Sequence, residues 1–82
     1  MKIIVTGSSG FIGMSLCIKL LKLRHEVVGI DNMNNYYDVN LKKKRLKELN
    51  KFSNFKFIKV DIKNKKLLKK KLGRFKPEII VN

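Results

Sequence analysis

Apolar and polar positions follow two alternating rhythms along the chain. Lys2–Thr6 (KIIVT) is an unbroken apolar run that stops at a glycine cluster, the pattern of a strand buried on both faces of a parallel sheet. Residues 11–24 change to a helical period. Ile12, Leu16 and Leu20 recur at i+4, and Cys17 and Leu21 widen that face toward a sheet. Residues 26–30 (EVVGI) read as a second strand ending at Asp31, and the polar residues 32–37 (NMNNYY) as a loop. Asp38 suits the N-cap of a helix to about Lys51, with Leu46 and Leu49 inward and Lys42, Lys43, Lys44 and Lys47 mostly outward. A third strand at 55–60, a third helix from Asn64 to about Leu72 and a fourth strand at 78–81, opened by Pro77, complete the series. Strands separated by helical crossovers pair in parallel, and right-handed crossovers predict a doubly wound α/β sheet in the order 3-2-1-4.

Such a sheet continues with further strands beyond the fourth. The 82 residues are therefore expected to be the N-terminal part of a longer domain, truncated after about four strands, with its remainder and a substrate domain absent. A chain this short buries roughly 60–65% of the surface exposed on unfolding, which makes its stability marginal.

Composition changes this picture in one respect, charge. Twenty Lys and Arg stand against six Asp and Glu, a net +14, which raises the alternative of a small basic nucleic-acid-binding module on the faces of residues 42–47 and 63–71. The chain has no alanine, however, while Lys, Asn and Ile supply 34 of 82 residues. Those three have A/T-rich codons, so nucleotide bias accounts for much of the lysine. No helix-turn-helix, zinc or aromatic RNA-binding signature accompanies the charge, and the lysines are read as solvated helix faces rather than as a nucleic-acid site. The apolar stretch 11–23 is interrupted by Gly13, Ser15, Lys19 and Lys22, and no basic leader precedes an apolar core. Neither a membrane partner nor a signal peptide is expected, and a cytoplasmic location is. Cys17 is the only cysteine, which excludes an internal disulfide and a cysteine-rich metal site.

The segment that carries chemistry is Thr6-Gly7-Ser8-Ser9-Gly10-Phe11-Ile12-Gly13, between the first strand and the first helix. Three glycines could merely shape a turn. In this context Gly7 permits the sharp strand exit, Gly10 lets a pyrophosphate approach the backbone, and Gly13 lets the helix sit close to the sheet. The helix start turns unpaired N–H groups and the positive end of its dipole toward that phosphate. The spacing is GxxGxxG, and no Gly-Lys-Ser/Thr follows as in a P-loop. Asp31 ends the second strand eighteen residues after Gly13, where a carboxylate can accept hydrogen bonds from both ribose hydroxyls of an adenosine. A 2′-phosphate would meet it with like charge, so NAD is preferred to NADP; the plain alternative is a turn cap. Asp61 follows the third strand in the same way, as a cap or beside an adenine.

TGSSGFIG, Asp31-Asn32 and Asp61-Ile62 together resemble the extended short-chain dehydrogenase/reductase superfamily, a Rossmann-type fold. The run from Asp31 to Val39 (DNMNNYYDV), with Leu41 and Arg45-Leu46, is similar to the opening of the UDP-glucuronate 4-epimerases; nucleotide-sugar dehydratases share the first part and remain the alternative. The resemblance implies pyrophosphate contacts at Gly7, Gly10, Phe11, Ile12 and Gly13. It places Asp31 on the adenosine ribose with Asn32 and Asn35 beside it, and Asp61 and Ile62 against the adenine. It further implies bound NAD, a UDP-sugar substrate epimerised at C4 through a transient ketone, and a homodimer in the full-length enzyme. The family's Tyr-x-x-x-Lys pair is missing: Tyr36 and Tyr37 are followed four residues later by Asn40 and Leu41. No catalytic residue is therefore assigned, and these residues alone are expected to be inactive. His25 reads as a solvated turn residue, and Cys17 and Met14 as core.

Overall fold

A computed structural model describes residues 1–33 and 39–82. Within them the chain runs β1 (Lys2–Thr6), α1 (Phe11–Lys22), β2 (Glu26–Asp31), α2 (Val39–Leu49), β3 (Phe55–Lys59), α3 (Lys65–Leu72) and β4 (Ile79–Val81). The four strands form one parallel sheet in the order β3-β2-β1-β4, as the pattern predicts. Ile4 lies opposite Val28 on one side and Ile80 on the other, and Gly29 lies opposite Phe57.

The period-2 alternation of the strands divides the core in two. Ile3, Val5 and Val27 face one way and pack with Cys17 and Leu21 of α1 and Leu49 of α2. Ile4, Val28, Ile30, Ile58 and Val60 face the other way, beneath Leu68 and Leu72 of α3 and Phe75. Helices cover both faces, so the sheet is doubly wound. Asp31 has the parity of Val27, so it points to the side of α1 and α2. That parity governs its partner.

Two helical readings need correction. The buried stripe of α1 is centred on Cys17 and Leu21, with Met14 and Ile18 beside it. Ile12 is 81% exposed, because the first turn of α1 overhangs the carboxyl end of the sheet and has no strand beneath it. The helix also ends at Lys22 rather than Arg24. Arg24 takes a positive φ of 67°, its N–H donates to the Leu21 carbonyl, and the His25 N–H donates to that of Leu20. This is a Schellman closure with arginine where glycine is usual. Asn54 reinforces it by donating from Nδ2 to the carbonyls of Leu21 (3.1 Å) and His25 (2.8 Å). His25 is half-buried in the turn, with Nδ1 3.0 Å from the terminal amine.

At α3 the Asn64 side chain caps the helix by accepting from the Leu67 N–H at 3.2 Å. The expected cap at Asp38 and loop residues Asn35, Tyr36 and Tyr37 lie outside the described residues. Lys43, Lys44 and Lys47 are exposed as expected, but Lys42 is only 8% exposed. Among the described residues no helix is long and apolar enough to cross a membrane.

Candidate functional site

The carboxyl ends of β1, β2 and β3 open onto the edge where strand order reverses between β2-β1 and β1-β4, the usual place for a ligand in an open α/β sheet. At the end of β1 the chain turns through Gly7, whose φ of 68° favours glycine. The turn is tied down from both sides. The Gly7 N–H donates to the Ile30 carbonyl at 2.7 Å, and the Gly10 N–H donates to the Gly7 carbonyl at 3.0 Å. Gly10 then serves as the N-cap of α1 without a side-chain cap, and the first helical bond runs from the Met14 N–H to the Gly10 carbonyl. The amides of Phe11, Ile12 and Gly13 belong to the turn that has no intrahelical acceptors, and no acidic residue occupies it. This end of the helix is suited to an anion.

Gly13 is a close approach, though not the expected one. A Cβ there would fall on the Gly7 carbonyl oxygen, 2.8 Å from its carbon and 3.1 Å from Ser8 Cα. At this position the helix meets the turn that feeds it, while its strand contacts are made further along, by Cys17 and Leu21. Ser8 and Ser9 are fully buried below the turn, and their hydroxyls have no hydrogen-bond partner among the described residues. Ser8 fills the space over Gly29, where a Cβ would stand 2.6 Å from Ser8 Oγ.

Asp31 is buried at the end of β2. Its Oδ2 accepts from the Ser9 N–H at 3.2 Å, and its Oδ1 from the Met33 N–H at 2.8 Å and from Lys42 Nζ at 3.1 Å. It therefore caps a turn, as the plain alternative expected, and it also fixes the glycine turn and an ammonium group. Asp61 caps a turn too, accepting from the Lys63 N–H at 2.9 Å. Arg45 reaches over from α2, donating to the Ser9 carbonyl at 3.3 Å with its guanidinium 5.8 Å from the Phe11 ring.

Two adjoining clefts result, sharing Thr6, Gly7 and Asn82. One, of about 360 Å³, is lined by Asp31, Asn32, Lys42, Val60, Asp61 and Ile62. The other, of about 530 Å³, is lined by Gly10, Phe11, Ile12, Gly13, Leu16 and Val81. Every sequence-predicted site residue except Asn35, which lies outside the described residues, borders one of them. Lys42 and Arg45 were missed. Among the described residues no cluster of His, Cys, Asp and Glu could hold a metal ion.

Residues 4–82 match the family model described as GDP-mannose 4,6 dehydratase. Along its whole length the chain is 48% identical to Protein CapI of Staphylococcus aureus, covering 24% of that protein. It superposes on a UDP-glucuronic acid 4-epimerase from Bacillus cereus, solved in complex with UDP-glucuronic acid and NAD, with a TM-score of 0.74 and 44% identity over 85% of this chain and 24% of that one. A dTDP-glucose 4,6-dehydratase from Bacillus anthracis str. Ames, solved in complex with NAD, matches all of this chain and 26% of its own, with a TM-score of 0.82 and 27% identity. The chain thus spans about a quarter of the length of these relatives.

Proposed function

From the premise that the chain belongs to the GDP-mannose 4,6 dehydratase family, among the NAD-dependent epimerases and dehydratases of the short-chain dehydrogenase/reductase type, we propose that it is the NAD-binding N-terminal portion of a nucleotide-sugar epimerase. The observation that carries this reading is the pair of joined clefts, along which the glycine turn and the Asp31 carboxylate lie as a pyrophosphate and an adenosine ribose would need them. The fit is physical. A side chain at position 13 would push the helix amides away from an anion, and the buried carboxylate of Asp31 faces the first cleft.

In this reading the amides of Phe11, Ile12 and Gly13 hold the pyrophosphate, with Gly7 and Gly10 giving it access. Asp31 takes the ribose with Asn32 and Asn35 beside it, and Asp61 and Ile62 flank the adenine. NAD, when bound, supplies a reversible two-electron oxidation of the sugar. The parent enzyme inverts C4 of a UDP-sugar such as UDP-glucuronate through a transient 4-ketone, and acts as a homodimer. Proton transfer at C4 needs a Tyr-x-x-x-Lys pair, which these residues do not contain, so they bind and orient but do not catalyse. A dehydratase of the same family is the second reading, favoured by the match to the Bacillus anthracis enzyme.

The test is to express this chain with the whole of its reading frame and supply UDP-glucuronate. Formation of UDP-galacturonate supports the epimerase. Loss of water from a nucleotide hexose instead supports the dehydratase, and no change in any nucleotide sugar overturns both.

A further inference from the structure

We propose that Lys42 is a cofactor-binding residue, and that choice between NAD and NADP is set by the Asp31–Lys42 pair rather than by Asp31 alone. The proposal rests on the NAD-binding reading and deepens it. Asp31 Oδ1 already takes two donors, the Met33 N–H and Lys42 Nζ, and Oδ2 takes one, the Ser9 N–H. A carboxylate has about four acceptor positions, so at most one is left for a ribose that presents two hydroxyls. The second hydroxyl needs another partner in the same cleft.

Lys42 supplies it. Its side chain is 11% exposed, its ammonium is 3.1 Å from Asp31, and it lines the cleft with Asp31, Asn32 and Asp61. An ammonium has three donors and the carboxylate occupies one of them. One ribose hydroxyl then donates to Asp31 Oδ2 while the oxygen of the other accepts from Lys42 Nζ. The same geometry alters the electrostatics. A 2′-phosphate entering here meets a carboxylate whose charge is compensated 3.1 Å away by a cation, so repulsion by Asp31 is blunted and NADP is rejected only weakly.

The experiment is calorimetric titration of NAD and NADP into the purified chain and into two variants, with circular dichroism confirming that each is folded. Lys42→Met removes the cation at nearly constant volume. NAD is expected to bind about tenfold more weakly, and NADP at least fifty-fold more weakly because its phosphate then faces a bare carboxylate, so preference for NAD widens about fivefold or more. Asp31→Asn leaves the ammonium unopposed and is expected to move the ratio at least fivefold toward NADP. A packing role for Lys42 would weaken both ligands equally, so an NAD:NADP ratio unchanged within twofold in Lys42→Met overturns the proposal, whatever Asp31→Asn does. If the ratio is unchanged while the unmodified chain binds NAD, only this inference falls. If the unmodified chain binds neither dinucleotide, the cofactor reading falls and this inference with it.

Discussion

Replacing Gly13 with alanine sets two physical effects of opposite sign against each other. Gly13 lies in the first turns of α1, where Gly→Ala alone should stabilise by about 1 kcal/mol through helix propensity. The new Cβ, however, would fall on the Gly7 carbonyl oxygen, with Gly7 C at 2.8 Å and Ser8 Cα at 3.1 Å. All three atoms are backbone, so no side chain can swing aside. The turn is held to β2 by the 2.7 Å bond from the Gly7 N–H to Ile30 and cannot retreat freely. Overpacking of this kind costs about 3 kcal/mol at the upper end of its range, leaving a net loss of about 2 kcal/mol. For a domain of this size that lowers Tm by about 8–16 °C. Thermal and urea unfolding followed by circular dichroism would measure it, with Ser15→Ala, an exposed position on the same helix, as the propensity control. A Gly13→Ala chain as stable as the original, or more so, would refute the close approach of helix and turn.

Two further outcomes follow from the core. Leu49→Ala empties a fully buried site that joins α2 to α1 and the sheet, and should cost about 3 kcal/mol, read as a lower urea midpoint at unchanged slope. Burial pushes the Cys17 thiol up from 9.0 to about 11. The folded chain therefore holds a proton that the unfolded chain has lost between those values. Its stabilising effect is complete below pH 9 and disappears as pH rises through 11, a loss of about 2–3 kcal/mol that Cys17→Ser should abolish in a pH series of urea midpoints.

The sheet was legible because each strand is a short run rich in β-branched or aromatic residues between turn signals, and each crossover is long enough for a parallel return. The glycine turn was legible because few local patterns place three glycines between a strand and a helix. Lys42 was misread because its chemistry outweighed its position. It precedes Leu46 by four residues and Leu49 by seven, on the inward stripe of α2, and Asp31 shares strand parity with Val27, which faces that helix. Helical phase and strand parity combined would have paired them. The early end of α1 had no such signal, since an arginine at positive φ looks like any other helical arginine. Its supports, Asn54 and the bonds to Leu20 and Leu21, are thirty residues away or in the backbone. Ile12 fits the apolar period of the helix and lies beyond the edge of the sheet, a matter of helix length against strand length that periodicity does not encode.

Binding of NAD in the joined clefts is read out by titrating NAD into the isotopically labelled chain and following its amides by NMR. Saturable shifts are expected at the amides of Gly7, Gly10, Phe11, Ile12 and Gly13 and around Asp31, with α3 on the opposite face of the sheet unaffected. No shifts at millimolar NAD, or shifts confined to the lysine-rich faces of α2 and α3 and removed by salt, would contradict it.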